Sequence, residues 1–119
     1  MIISEKALGP DHPEVATNLS NLAVLYHRQG KLTKAAPLYE RVLVISEKAL
    51  GPDHSEVAIT LNNLGLLYYH QGKYTEAESL YKRALTISEK TLGSGHPNVV
   101  ALLKNISECH KKIGKKNEK

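Results

Sequence analysis

Apolar residues recur along this chain at steps of three and four, and the steps stop and restart at fixed places. Between Ser55 and His70, Val57, Leu61, Leu64 and Tyr68 fall on one side of a helix, with Ala58 and Gly65 beside them. That is the one-face spacing of an amphipathic helix. The stripe ends at Gln71-Gly72-Lys73, where Gly72 supplies the left-handed residue that closes a helix. It resumes at Thr75-Glu76-Ala77-Glu78, which matches a capping box in which the Thr75 hydroxyl and Glu78 carboxylate satisfy free backbone donors. Ala77, Leu80, Tyr81, Ala84, Leu85 and Ser88 then mark the inner face of a second helix, closed by Gly93. The pattern predicts full helices over Pro13–Gln29, Thr33–Ala49, Ser55–Gln71, Thr75–Thr91 and Pro97–Ile113, preceded by a stub at Met1–Leu8.

The unit repeats. A shift of 42 residues lays Gly9–Leu50 on Gly51–Leu92 with 26 of 42 positions identical. Residues 1–8 match the end of that unit and read as the last turns of a helix B from a preceding copy. Residues 9–50 and 51–92 are two full repeats, 93–114 a degenerate half-repeat forming a C-terminal cap helix, and 115–119 a basic disordered tail. In the linker Gly51-Pro52-Asp53-His54, either Asp53 or His54 caps the next helix A. Gly65 lies mid-helix, where glycine costs roughly 1 kcal/mol relative to alanine, so a close helix contact is expected there. Two antiparallel helices cannot bury both faces alone, whereas stacked pairs can, which gives a solenoid.

Leu61-x-x-Leu64-Gly65-x-x-Tyr68, followed by Ala77, Tyr81 and Ala84, resembles the tetratricopeptide repeat pattern. Leu19, Leu22, Ala23, Tyr26, Ala35, Tyr39 and Val42 form its first copy. With Leu-Asn-Asn-Leu, Tyr-x-x-Gln-Gly-Lys and a helix B prolonged through ISEKAL, the unit is similar to the repeats of kinesin light chains and nephrocystin-like proteins. The resemblance implies an all-α, right-handed superhelical solenoid of antiparallel helix pairs. It also implies that the A helices line a concave groove that binds extended peptides.

Composition narrows the function further. The hydrophobic fraction of 41% and charged fraction of 24% suit a water-soluble domain. No apolar run approaches the roughly 20 residues of a membrane span. The single cysteine, Cys109, fits a reducing compartment, so a cytoplasmic location is expected. The net charge of +4 resides in the last nine residues, Lys111–Lys119, and the rest of the chain balances. Binding of nucleic acid through that tail is therefore the weakest of the readings. His12, His54 and His96 recur one per linker, too far apart to share an ion, and read as linker packing or caps. Cys109 and His110 are adjacent and point apart on a helix, so they make no nucleophile–base pair. No phosphate loop or hydrolase motif is present. Neither an enzyme, a cofactor nor a metal is expected.

The candidate site is the A-helix face. Asn21, Asn63 and Asn105 share one phase in three successive A helices although asparagine is a poor helix former. Each carboxamide can donate and accept, and the resemblance to kinesin light chains implies that they grip a ligand's backbone. Helical phase adds Thr17, Ser20, Val24, His27 and Arg28 from the first A helix. Ile59, Asn62, Leu66, Tyr69 and His70 come from the second, and Ala101, Lys104, Glu108, Lys111 and Lys112 from the third. The basic groups, with His27 and His70 adding charge at lower pH, suit an extended acidic peptide carrying an apolar or aromatic anchor. The alternative is a self-associating segment, a homodimer through an uncapped N-terminal end where Val15, Leu19 and Leu22 are only partly covered.

Overall fold

In the computed structural model, which describes residues 13–117, four glycines with positive φ cut the chain into helices: Gly30, Gly51, Gly72 and Gly93. The helices are α1 (Pro13–Arg28), α2 (Leu32–Leu50), α3 (Ser55–His70), α4 (Tyr74–Leu92) and α5 (Pro97–Asn117). The stub expected at Met1–Leu8 and the cap or packing role of His12 lie outside the described residues. No strand occurs among the described residues. The last helix continues past the expected Ile113 into the segment read as a disordered tail.

The turns explain where helices end. At Gly72, with φ 81°, the Lys73 N–H donates to Tyr68 O at 2.8 Å and the Gly72 N–H to Tyr69 O at 3.0 Å. This is the paired closure of a Schellman motif, and Gly30 repeats it with Lys31 to Tyr26 and Gly30 to His27. The same closure corrects one expectation. Helix α4 starts at Tyr74 on the carbonyl of Lys73, to which Ala77 N–H donates at 3.0 Å, so Thr75 is already inside the helix and no capping box forms. Glu78 is engaged elsewhere, by Lys82 at 3.7 Å and by His110 of α5. The linker alternatives resolve to histidine: His54 Nδ1 accepts from Glu56 N–H at 3.0 Å, and His96 Nδ1 from Asn98 N–H at 3.1 Å.

Each helix packs on its predecessor in turn, α1 on α2, α2 on α3, α3 on α4 and α4 on α5. The result is an all-α solenoid of 51 × 33 × 18 Å. Val15 and Ala16 meet Val42 and Ile45 between α1 and α2. Ala23, Ala35 and Tyr39 meet Leu64 and Leu67 where α3 stacks on the first pair. Val57, Leu61, Ala77, Tyr81 and Ala84 continue into Leu102, Ile106 and Cys109 of α5. The close contact expected at Gly65 is with Tyr81, whose Cε1 would stand 2.9 Å from a Cβ added to that glycine. Side-chain pairs also tie the helices together away from the core: Arg83 of α4 reaches past α3 to Glu47 of α2, and Tyr68 of α3 bonds Glu40 of α2. Burial first, and the bond to Glu40 second, push the Tyr68 hydroxyl up to about 12.

At the first end Leu19 and Leu22 are half-buried, as expected, but Val15 is buried; the large apolar residue that α1 exposes is Leu25, at 50%. At the other end α5 is not uniformly polar, because Val100 and Leu103 are 57% and 50% exposed. They occupy the places where Ala58 and Leu61 bury against α4.

Candidate functional site

Helices α1, α3 and α5 are the A helices, and a groove runs between each successive pair with the intervening helix B as its floor. In the α1–α3 groove, the half nearer the helix N-termini holds a 340 Å³ depression between Thr17, Ser20 and Asn21 on one wall and Ile59 on the other, over Ile45 and Ser46. The other half holds a 560 Å³ depression. Val24, His27 and Arg28 form its first wall, Asn63, Leu66 and His70 its second, and Tyr39 its floor.

The α3–α5 groove repeats this plan one unit on. Ile59, Asn62 and Ala101 line a 460 Å³ depression over Ser88. Leu66, Tyr69, Asn105 and Glu108 line one of 150 Å³ over Tyr81. The correspondence is position by position: Val24 and Leu66, His27 and Tyr69, Tyr39 and Tyr81, Asn63 and Asn105 are each one repeat apart. Tyr39 and Tyr81 read from the sequence as core; the structure shows that each also floors a depression. The regular 42-residue step was the signal that paired them.

The three phase-matched asparagines therefore occupy three separate depressions. Asn105 Nδ2 donates to Asn62 Oδ1 at 3.4 Å, so the carboxamide contact across the second groove joins residues 43 apart. Asn63 and Asn105 are half-buried and Asn21 is exposed. Of the basic residues expected around the asparagines, Arg28 lines the first groove. Lys104 and Lys111 are exposed on α5, where Lys111 pairs with Glu108 at 3.5 Å, and Lys112 is half-buried.

The two histidines meet. His27 Nε2 and His70 Nδ1 are 3.0 Å apart, with ring centroids 5.2 Å apart and planes at 68°. They sit in a run of edge-to-face rings, with Tyr39 against His27 and Tyr69 against His70. Burial, and secondarily the charge His70 can carry, hold His27 below its ordinary 6.5. Both rings were expected to add positive charge at lower pH; burial and the neighbouring ring work against that at His27.

Cys109 takes the place of Leu67 in the core and is fully buried. Burial, and then Glu78 and Glu108, raise its thiol, which keeps it an unreactive packing group. Among the described residues no three His, Cys, Asp or Glu side chains cluster as a metal cage. No helix among them is long and apolar enough to cross a membrane.

A family model described as tetratricopeptide repeat matches residues 1–48, 16–90 and 56–118. No curated protein matches the sequence. Among solved structures, nearly identical TPR-like repeats attributed to a kinesin light chain of Podosopora anserina align with a TM-score of 0.86 and 28% identity, over 98% of this chain and 56% of that one. BtubC (BKLC) from P. vanneervenii aligns with a TM-score of 0.71 and 26% identity, over 85% of this chain and 45% of that one. The chain thus spans about half the length of the structures it matches.

Proposed function

The chain belongs to the tetratricopeptide repeat family, whose members generally serve as protein-interaction scaffolds, and from that premise we propose that it is an interaction module that lays an extended peptide across its A-helix face. The observation that carries this is the pair of repeat-equivalent depressions over Tyr39 and Tyr81, each with an apolar wall and one carboxamide, Asn63 or Asn105. An extended peptide places alternate side chains on one face. The depressions take apolar or aromatic anchors, and the carboxamides meet the backbone between them. Arg28 in the first groove, with Lys104 and Lys112 on α5, favours an acidic partner. The unpaired Cys109 suits a reducing, cytoplasmic setting.

Asn63→Ala tests the reading. A desolvated backbone group left unpaired costs about 1–3 kcal/mol, so an acidic, aromatic-anchored peptide should bind the variant roughly 10- to 100-fold more weakly by calorimetric titration. The melting temperature should hardly move, because Asn63 is outside the core. Equal affinities would remove the carboxamides from the site; a large loss of stability would make Asn63 structural.

Self-association is the second reading, and exposed Leu25, Val100 and Leu103 favour it. No described helix covers these residues. If copies join end to end, Leu103→Glu abolishes a concentration-dependent species in sedimentation while leaving peptide binding intact.

A further inference from the structure

We propose that His27 and His70 bind a divalent late-transition ion, zinc or copper, that staples α1 to α3 across the first groove. Imidazole nitrogen suits both ions. The other described histidines are occupied differently: His54 and His96 each accept a backbone N–H, and His110 lies on the Glu78 carboxylate. Among the described histidines only His27 and His70 present ring nitrogens to each other, at 3.0 Å. In that contact one ring donates and the other accepts, so a single proton sits between two lone-pair sites. An ion can take the proton's place. Two nitrogens on one tetrahedral zinc, each about 2.0–2.1 Å from the metal, stand roughly 3.3 Å apart. The rings must therefore separate by only a few tenths of an ångström and tilt until their lone pairs converge.

The surroundings support this. His27 ends the last turn of α1 beside Arg28, and His70 is the last residue of α3, so both rings sit next to glycine turns that can absorb the tilt. Tyr39 and Tyr69 brace the two rings edge-on, 6.4 and 6.2 Å between centroids. Two protein ligands leave the remaining positions to water, and Arg28 in the same depression opposes the added charge. Both facts set the affinity in the micromolar range, that of an exchangeable site and not of a structural zinc.

The test uses tag-free protein titrated with zinc chloride and, separately, copper chloride, followed by calorimetry, with thermal melts in the presence and absence of chelator. One saturable site is expected, and the melting temperature should rise by several degrees at roughly 100-fold excess over Kd. Nitrogen NMR resonances of the His27 and His70 rings should shift on addition of zinc, and those of His54 and His96 should not. His27→Gln and His70→Gln should each weaken binding at least about tenfold, whereas His54→Gln and His110→Gln should not. Glutamine keeps a polar group at these partly exposed places, and the melts without metal verify that each variant folds. Absence of saturable binding below about 1 mM, or unchanged affinity in His27→Gln, overturns the proposal.

Discussion

The two grooves share a plan and differ in nearly every side chain that reaches them, whereas the core beneath them hardly changes. Val15 and Val57, Ala16 and Ala58, Leu19 and Leu61, Leu22 and Leu64, Tyr39 and Tyr81, Ile45 and Ile87, and Ser46 and Ser88 are identical pairs. Along the groove the pairs are Thr17 and Ile59, Ser20 and Asn62, Val24 and Leu66, His27 and Tyr69, and Arg28 and His70; only Asn21 and Asn63 agree. Repeats that must stack on one another constrain the stacking surface, because each buried position has to fit the copy before it and the copy after it. Groove positions meet no neighbour in that way and are free to specialise. Over Tyr39 the first groove is accordingly roomy, at 560 Å³, and carries Arg28 and the histidine pair. Over Tyr81 the second groove narrows to 150 Å³, lined by Tyr69, with Glu108 held by Lys111. The asparagine that escapes this divergence is the groove position to which the proposed backbone recognition is assigned.

The sharpest way to break the comparison is to treat the two classes of leucine alike. Leu61 is fully buried between α3 and α4, while Leu66 is 40% exposed between the two grooves. Leu61→Ala should cost about 2–5 kcal/mol in urea unfolding, from lost burial and the cavity left behind. Leu66→Ala should cost well under that and weaken peptide binding instead. If Leu66→Ala destabilises as much as Leu61→Ala, the groove is core by another name.

Next in size is Gly65, where the repeats differ inside the core, since its counterpart in the first copy is Ala23. The Tyr81 ring already lies within van der Waals contact of any added carbon, with three ring atoms at 2.9, 3.0 and 3.2 Å from a Cβ. Gly65→Leu should therefore cost about 1–3 kcal/mol through overpacking, although leucine is the better helix former. A neutral result in urea titration would show that the ring can swing away. Gly65→Ala should cost less, since the first repeat accommodates an alanine against the equivalent tyrosine, Tyr39.

These outcomes also mark what the sequence could carry. Helix order, the closing glycines and the buried faces were legible because burial imposes a helical period, and 26 of 42 identities fixed the repeat. Groove contacts were not legible. His27 meets His70 and Asn62 meets Asn105 at separations of 43 residues, one more than the repeat, because each A helix is turned relative to the last. A straight row of Asn21, Asn63 and Asn105 assumes no turn. The capping box failed for a related reason. Thr75 and Glu78 have the right spacing, but the turn at Gly72 brings the chain into the helix one residue before Thr75.

The smallest effect separates the grooves by pH. His27 lies below its ordinary 6.5, first because burial strips water from the ring and second because a charged His70 repels its proton. The unfolded chain takes up that proton near 6.5, and the folded chain only at lower pH. Above 6.5 neither state holds it, and the full stability is present. As pH falls from 6.5 toward the folded value the unfolded state binds more protons, so stability declines, and below the folded value the loss levels off. Arg28 lines the same depression, and Tyr39 packs on the His27 ring at 83° between planes. His27→Gln removes the proton site. Its melting temperature should fall less than that of the wild type between about pH 7.5 and 5.5, in the absence of metal. In the second groove the equivalent position is Tyr69, which carries no imidazole, so Tyr69→Phe should leave the wild-type slope unchanged. Parallel melting curves for wild type and His27→Gln would show that the histidine pair is too open to water to distinguish the two grooves.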